Sequence, residues 1–269
     1  MAGPLEKVRV LDMTWALAGP FCSMLLADLG AEVIKVENPE GGDPSRKNFP
    51  FVKEVSSYFL SVNRGKKSVT VNLQHPRGKE IVLSLAKKSD VLVENFRPGV
   101  MDRLGLGYAA MREVNPKIIY AACSGFGRTS PYAHRPAYDV IVQGMGGTLS
   151  ITGEEGGPPV RVGFSIGDIG GGVFTALGIL SALHERERSG QGQMVDVAML
   201  DCQMALLENA FTRFFATGEV PERIGTRHPV QTPFQAFPSK DGYIVVAVAR
   251  QDWWEKFCQL INRLDLISD

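Results

Sequence analysis

The chain has 269 residues, of which 44% are hydrophobic and 22% charged, and this is the composition of an ordinary globular protein. Its 29 basic and 29 acidic residues balance, which argues against a nucleic acid or an anionic membrane surface as a partner. The four cysteines form no CxxC pair and no Cys/His spacing that suits zinc, so we expect reduced thiols in a cytoplasmic protein without a metal site. No signal-peptide pattern is present, and no uncharged apolar run reaches the ~20 residues of a membrane helix.

Strands alternate with helices over the first 218 residues. Short apolar runs predict the strands, and longer amphipathic or apolar runs predict the helices. This alternation is typical of a parallel sheet covered by helices on both faces. We therefore predict an α/β fold, a Rossmann-like doubly wound domain over residues 1–218. Its predicted strands are 8–12, 33–37, 68–73, 91–93, 118–123 and 194–198, and its predicted helices are 21–29, 77–88, 102–114, 170–188 and 200–217.

The composition changes near Gly218-Glu-Val-Pro221. After a polar stretch, residues 242–248 predict one further strand and residues 251–261 one further helix. One strand and one helix make a poor independent domain. We interpret residues 219–269 as a linker and the beginning of a smaller α+β domain, and we expect that domain to be incomplete.

Asp168 is the first candidate for chemistry. It lies in Ser165-Ile-Gly-Asp-Ile-Gly-Gly-Gly172, where a loop is predicted to enter the long apolar helix. Glycines let a ligand approach the backbone closely, and a helix N-terminus favours an ionised carboxylate. Such a carboxylate can attack an activated acyl carbon. The alternative is that Asp168 is only the N-cap of the helix, the commonest function of aspartate at that position.

Gly163-Phe-Ser-Ile-Gly167 also matches G-x-S-x-G, the nucleophile elbow of α/β-hydrolases. A serine hydrolase using Ser165 is therefore a second hypothesis, with residues 160–162 as the strand before the elbow. No His-Gly-Gly oxyanion sequence precedes it, and the predicted helix starts several residues too late for a sharp elbow.

Basic residues cluster in the segments between strands, where open α/β sheets bind ligands. A phosphate-rich ligand needs such cations, although each of them alone is better interpreted as a solvated surface charge. The segment Asn95-Phe-Arg-Pro-Gly99 is more specific, because it combines an amide, an aromatic ring and a guanidinium directly after a strand. Dinucleotide binding at the first β-α-β unit is disfavoured, because the turn Ala16-Leu-Ala-Gly-Pro20 lacks G-x-G-x-x-G. The cations are Arg46, Lys47, Arg64, Lys66, Lys67, Arg97, Arg103, Arg128 and Arg135.

Taken together, these segments resemble the class III coenzyme A transferases, the CaiB/BaiF family. The resemblance runs in register from about Pro4 to the end of the chain. It is carried by Leu11-Asp-Met-Thr-Trp-Ala-Leu-Ala-Gly-Pro20, Leu29-Gly-Ala-Glu-Val-Ile-Lys-Val-Glu37, Gly42-Asp43, Asn63-Arg-Gly-Lys-Lys-Ser68, Val93-Glu-Asn-Phe-Arg-Pro-Gly99, Ser124-Gly-Phe-Gly127, Ala137-Tyr-Asp139, Gly167-Asp168 and Gly190-Gln-Gly-Gln-Met-Val-Asp196.

The resemblance implies a transferase that moves CoA from an acyl-CoA to a carboxylic acid through an aspartyl-CoA thioester on Asp168. CoA and acyl-CoA are then substrates, and no permanently bound cofactor is expected. Basic residues of some relatives are absent at positions 38 and 74, and Arg46 or Lys47 is the candidate substitute. The CoA contacts of the family fall on Leu17, Ala18, Asn38, Val71, Asn72, Leu73, Gln74, Asn95, Phe96, Arg97, Arg103, Ala137 and Tyr138.

The resemblance also implies an interlocked homodimer and a small carboxylic acid as co-substrate, such as a dicarboxylate held by Arg161 or Arg135. Members of the family usually continue well past this length, so a complementing chain or a fragment is an open alternative. A non-catalytic CoA-binding subunit is another. The racemases of the family use a histidine that would fall on Tyr138, so that branch is the least favoured.

Overall fold

The computed structural model describes residues 3–268. Its strands are β1 (Arg9–Asp12), β2 (Glu32–Glu37), β3 (Phe51–Val52), β4 (Val55–Ser56), β5 (Lys66–Thr70), β6 (Val91–Glu94), β7 (Ile119–Ser124), β8 (Met194–Ala198), β9 (Phe234–Pro238) and β10 (Tyr243–Ala247). Its α-helices are α1 (Ala18–Asp28), α2 (Ser57–Asn63), α3 (Pro76–Ala86), α4 (Val100–Arg103), α5 (Tyr108–Val114), α6 (Asp139–Met145), α7 (Thr148–Ile151), α8 (Ile166–Ser189), α9 (Met199–Leu206), α10 (Ala210–Thr217) and α11 (Gln251–Leu260). Short 3₁₀ turns lie at Pro44–Lys47 and Leu264–Leu266.

Six strands form one parallel sheet in the order β5-β2-β1-β6-β7-β8. This is the doubly wound Rossmann order. The first half of the chain winds from β1 through β2 to β5, and the second half winds in the opposite direction from β6 through β7 to β8. The switch point lies between β1 and β6. The predicted α/β fold is confirmed, and the continuous apolar runs of β6 and β7 are explained by burial on both faces.

Each face of the sheet carries its own hydrophobic core. Neighbouring residues of a strand point to opposite faces, so Val10 packs into the core beneath α1 and α8 while Leu11 packs into the core beneath α3 and α5. The same division separates Val91 and Val93 from Leu92. The two cores fix the positions of β1 and β6, whose carboxyl ends carry the candidate site.

Helix α8 is the longest helix and packs against α1, β7 and α9. By length and composition alone it could cross a membrane, but buried glycine and alanine positions on one side of it face these protein neighbours. The apolar residues on that side of α8 are therefore accounted for by its place in the core of the sheet unit.

Two predicted helices are broken in the structure. The helix predicted over 102–114 is split into α4 and α5 around Gly105, whose φ of +72° ends the first turn. The helix predicted over 200–217 is split into α9 and α10 at Glu208, with a φ of +55°. Both breaks are residues in the left-handed region, which no helix interior tolerates.

The chain forms two compact units, and the first holds the sheet with residues 3–147 and 163–208. The second holds residues 148–162 and 209–268, including the antiparallel hairpin β9–β10. Its two segments are joined by the Arg223 guanidinium, which donates to the carbonyls of Gly157 and Ser150 at 2.8 and 2.9 Å. The second unit begins nine residues before position 218 and takes in an earlier segment as well. Compact units are not domains by definition, so the boundary at 218 stays a prediction.

Candidate functional site

A cleft of about 280 Å³ opens at the carboxyl ends of β1, β2 and β6. This is the switch point of the sheet, where open α/β proteins bind ligands. Its walls come from three loops that follow strands: residues 13–15 after β1, residues 38–44 after β2 and residues 71–74 after β5. The loop after β6 adds Phe96.

Six of the predicted CoA contacts line this cleft together. They were far apart in the sequence and meet because their strands are parallel. Among the lining residues that we did not predict, Met13, Thr14 and Trp15 follow β1. The Trp15 and Phe96 rings lie 5.5 Å apart at its edge, and Trp15 is 45% exposed. The predicted residues in the cleft are Asn38, Val71, Asn72, Leu73, Gln74 and Phe96.

Asn95, a predicted CoA contact, is not among the residues that line the cleft. Its Oδ1 accepts the backbone N–H of Trp15 at 3.0 Å, and its Nδ2 donates to the Trp15 carbonyl at 2.9 Å. Both polar atoms of the amide are thus used to join the loops after β1 and β6. Contact between Asn95 and CoA stays a prediction, but the amide already has a structural partner.

The predicted cations divide into paired and unpaired groups. Arg46 makes two bonds to the Glu37 carboxylate at 2.6 and 2.7 Å, so it is a poor substitute for a missing phosphate contact. Arg64, Lys66, Lys67 and Arg128 also form ion pairs. Among residues 3–268, Lys47, Arg97, Arg103 and Arg135 form no ion pair. Lys47 follows β2, and Arg97 and Arg103 follow β6, two of the strands at whose ends the cleft opens, so these three remain the candidate phosphate ligands.

The other predicted contacts lie at helix starts on the same edge of the sheet. Leu17 precedes α1 and Ala18 begins it. Ala137 is half-buried against Gly125, and Tyr138 precedes α6 with 77% of its surface exposed.

Asp168 is the third residue of α8 and is half-buried. The helix begins at Ile166, so the interpretation of Asp168 as the N-cap is wrong, and so is the placement of Asp168 at the end of a loop. Its position in the first turn still exposes the carboxylate to the partial positive charge of the helix N-terminus. Because α8 is the crossover helix before β8, its first turn lies at the same edge of the sheet as the cleft.

Tyr58 of α2 lies near enough to Asp168 to be affected by its negative charge, and sequence reasoning missed it. Burial raises the pKa of its hydroxyl, and the negative charges of Asp168, Asp43 and Asp139 raise it further. The phenol therefore stays protonated near these three carboxylates. Burial, with a smaller contribution from Asp168, also raises the pKa of the Cys123 thiol to about 12, so this cysteine is no nucleophile.

The glycines around Asp168 serve packing, which corrects our expectation that they admit a ligand. A Cβ on Gly172 would lie 2.7 Å from the carbonyl oxygen of Ala18, and one on Gly171 would lie 3.2 Å from Cys123 Sγ. Gly167 donates its N–H to Asp139 Oδ1 at 2.8 Å. Gly170, Gly171 and Gly172 lie within the helix, so the N–H groups of these glycines are not available as oxyanion donors.

The nucleophile elbow predicted at Ser165 is absent from the described residues. Residues 158–165 form no strand there, whereas an elbow needs a sharp turn between a strand and a helix. The hydrolase hypothesis loses its structural basis.

Buried charges lie beneath the cleft. Burial raises the pKa of Asp12, but the charges of Lys66 and Lys35 and two hydroxyl donors outweigh it and bring the pKa to about 2. Lys66 Nζ lies 3.1 Å from Asp12 Oδ2.

Glu94, at the end of β6, is 2% exposed, and burial raises its pKa to about 7. It accepts the Phe96 N–H at 2.8 Å and thereby holds the loop that carries Phe96.

Comparison with known proteins places this geometry in a family. The sequence model of CoA-transferase family III matches residues 5–269. The acetyl-CoA:oxalate CoA-transferase of Acetobacter aceti is 47% identical over 268 residues, which are 99% of this chain and 69% of that protein. The succinyl-CoA:mesaconate CoA-transferase of Haloarcula marismortui is 45% identical, with the same shares covered. A CaiB/BaiF family protein from Brucella suis has a solved structure that aligns with a TM-score of 0.90 at 38% identity, covering 100% of this chain and 72% of that one.

Proposed function

Since this chain belongs to CoA-transferase family III, we propose that it transfers coenzyme A from an acyl-CoA donor to a carboxylic acid acceptor, with Asp168 as the nucleophile. The observation that carries this proposal is the position of Asp168. Its carboxylate lies in the first turn of α8, half-buried, at the edge of the sheet where the cleft opens. The family match supports the predicted membership, and the chemistry of Asp168 is our inference from the site.

The chemistry is acyl exchange on a carboxylate. An Asp168 oxygen attacks the thioester carbonyl, the C–S bond breaks, and CoA leaves as a thiolate. The resulting aspartyl acyl anhydride is attacked by the thiolate at the Asp168 carbonyl, which releases the donor acid and forms an aspartyl-CoA thioester. The acceptor carboxylate then reverses these steps. Every bond broken is matched by one formed, and no step needs an electron or a proton from another group.

The oxyanions of these steps need donors, and Tyr58 is the candidate in the sheet unit. Its hydroxyl stays protonated beside Asp168, and a donor of that kind stabilises developing negative charge. The partial positive charge at the start of α8 acts in the same direction.

Coenzyme A fits the cleft by chemistry. The cleft offers an aromatic edge from Trp15 and Phe96, and the uncharged wall of residues 71–74 after β5 suits a nucleoside and its linker. Arg97, Arg103 and Lys47 are the cations we assign to the phosphates, because they have no ion-pair partner among residues 3–268.

We further propose a small dicarboxylate as the acceptor. The two relatives above are named for oxalate and mesaconate, both dicarboxylates. Arg135 is the candidate for the second carboxylate in the sheet unit, where its guanidinium lies 4.3 Å from the Tyr132 ring centre.

A homodimer in the cytoplasm completes the proposal. Val173 and Leu177 of α8 are 44% and 56% exposed, and apolar surface of this kind on a core helix supports a protein partner. All four cysteines are buried and unpaired thiols, which is consistent with a reducing compartment.

Transfer assays test the function directly. The protein is given succinyl-CoA with oxalate, mesaconate or glutarate, and the product thioesters are separated by chromatography. We expect Asp168→Asn to lower kcat by at least about a thousandfold, as loss of a nucleophile does. Asp201→Asn is the matched control, because Asp201 is an exposed acid in the first turn of α9. Full transfer activity of Asp168→Asn would rule out the mechanism.

A further inference from the structure

The turn between β1 and α1, residues 13–17, is an unusual segment of the cleft wall. Thr14 and Trp15 line the cleft, and Ala16 has a φ of +61°. That value lies in the left-handed region, which alanine rarely occupies. Leu17 and Ala18, two expected CoA contacts, follow at once. The position of these backbone groups therefore depends on whatever holds Ala16 in this conformation.

Side chains from other elements hold the backbone of the turn. Asp12 Oδ1 accepts the Thr14 N–H at 2.8 Å, and Lys35 Nζ donates to the Thr14 carbonyl at 2.7 Å. Asp43 Oδ1 accepts the Ala16 N–H at 3.2 Å. With the Asn95 amide on Trp15, three consecutive residues of the turn are each bonded to a distant side chain.

Two of these side chains form a buried ion pair. Lys35 Nζ lies 2.9 Å from Asp43 Oδ2, and each side chain is 1% exposed. Burying two charges is costly, and an apolar pair of similar volume would often serve the fold as well. The pairing of β2 uses the backbone of Lys35 and not its side chain, and Asp43 caps only the short 3₁₀ turn that follows it. The pair therefore calls for an explanation beyond folding.

The pair joins two walls of the cleft. Asp43 also accepts the Ser45 N–H at 2.9 Å and donates its own N–H to Glu37 Oε2 at 2.8 Å, so it is fixed within the loop after β2. Through Ala16 and Lys35 it is bonded to the turn after β1. A shift of one loop must move the other, because the same carboxylate touches both.

We propose that Lys35 and Asp43 are positioning residues for coenzyme A, which set the left-handed turn at Ala16 and so align the N-terminus of α1 with the opposite wall of the cleft. This inference rests on the proposed function, since it takes CoA as the ligand of the cleft. It assigns to the pair no contact with the reacting atoms. The ion pair acts through the backbone of the turn.

The test removes the pair without leaving a buried charge. The double variant Asp43→Ala/Lys35→Met keeps the buried charge balanced, and its binding of free CoA is measured by calorimetry beside its thermal unfolding. The control is Asp90→Asn/Arg186→Met, which removes an ion pair of 2.9 Å at the opposite, amino end of the sheet. We expect the double variant to fold and to bind CoA about tenfold more weakly or worse, and the control to bind within about twofold of the unaltered protein.

A third substitution separates positioning from general destabilisation. Ala16→Gly, added to the double variant, gives the turn a residue that adopts a positive φ without support. We expect it to recover part of the lost affinity for CoA. Unchanged CoA affinity in the folded double variant, or a loss that Ala16→Gly leaves unrepaired, would overturn the inference and leave the function of Asp168 untouched. If the unaltered protein binds no CoA, the proposed function fails and this inference fails with it.

Discussion

Gly172 of α8 packs directly on the carbonyl oxygen of Ala18 in α1, so closely that a Cβ there would lie 2.7 Å from that oxygen and 3.1 Å from the Phe21 ring. The contact joins the helix that carries Asp168 to the helix that begins at the cleft. A backbone oxygen cannot move aside as a flexible side chain can. The close packing of α1 on α8 therefore depends on the absence of a side chain in the glycine at position 172.

Gly172→Ala is therefore expected to destabilise the protein by about 1–3 kcal/mol, the usual cost of overpacking a core. Urea unfolding measures the difference. Gly163→Ala is the matched control, because nothing lies within 4 Å of a Cβ at that position. Equal stability of the two variants would mean that α1 and α8 can separate freely.

Tyr58→Phe tests the donor assigned to the reacting centre. Removal of a hydrogen bond to a charged group costs about 1.5–3 kcal/mol, so kcat for transfer should fall about ten- to a hundredfold. CoA affinity should stay unchanged, because Tyr58 does not line the cleft. Tyr108→Phe, a change at a half-buried tyrosine of α5 in the same unit, is the control. A Tyr58→Phe protein with normal kcat would remove Tyr58 from the mechanism.

Lys66→Met tests the buried pair beneath the sheet edge. Lys66 is 2% and Asp12 0% exposed, so the single change leaves a carboxylate buried without its closest cation. We expect a loss of about 3–5 kcal/mol in the free energy of unfolding. The double variant Lys66→Met/Asp12→Asn should recover much of that loss, because the remaining amide is uncharged. A double variant less stable than Lys66→Met would contradict this account of the pair.

Glu94 predicts a pH dependence of stability. Burial raises its pKa from 4.5 to about 7, against the smaller opposing effects of the Phe96 N–H, Arg128 and the Tyr120 hydroxyl. Below pH 4.5 the carboxyl is neutral in both the folded and the unfolded state. Between pH 4.5 and 7 it ionises only in the unfolded state, so folding loses stability as the pH rises, by up to about 3 kcal/mol.

Glu94→Gln should therefore gain stability relative to the unaltered protein as the pH is raised from 4.5 to 7, and the gain should level off above pH 7. Denaturant unfolding at a series of pH values measures it. Glu113→Gln, at an exposed glutamate of α5, should show no such gain. A difference that shrinks with rising pH would have the wrong sign for a carboxyl whose pKa is raised by burial.

The sheet was predictable because strands that are buried on both faces appear in the sequence as uninterrupted apolar runs. Residues 91–93 and 119–122 are uninterrupted apolar runs, and the strand at 194–198 was predicted with the bounds that the structure has. Short helices are harder to predict from the sequence pattern. Helices α2 and α6, of seven residues each, were missed because so short a segment has no clear apolar period.

The site was predictable in part for a different reason. Motifs placed Asn38, residues 71–74 and Phe96 on one ligand, and the parallel topology brings them to one cleft. The roles of Asn95 and of Gly172 near Asp168 could not be derived from sequence, because their partners, Trp15 and Ala18, are far away along the chain. Tyr58 was missed for the same reason: nothing local to α2 indicates that it lies near Asp168.

The central claim is that Asp168 becomes covalently bonded to coenzyme A. Intact-protein mass after brief mixing with succinyl-CoA tests it, for the unaltered protein and for Asp168→Asn. We predict a mass increase of one CoA group less water in the unaltered protein, reversed by addition of a carboxylate acceptor, and no such increase in Asp168→Asn. A CoA adduct that persists in Asp168→Asn would contradict the claim.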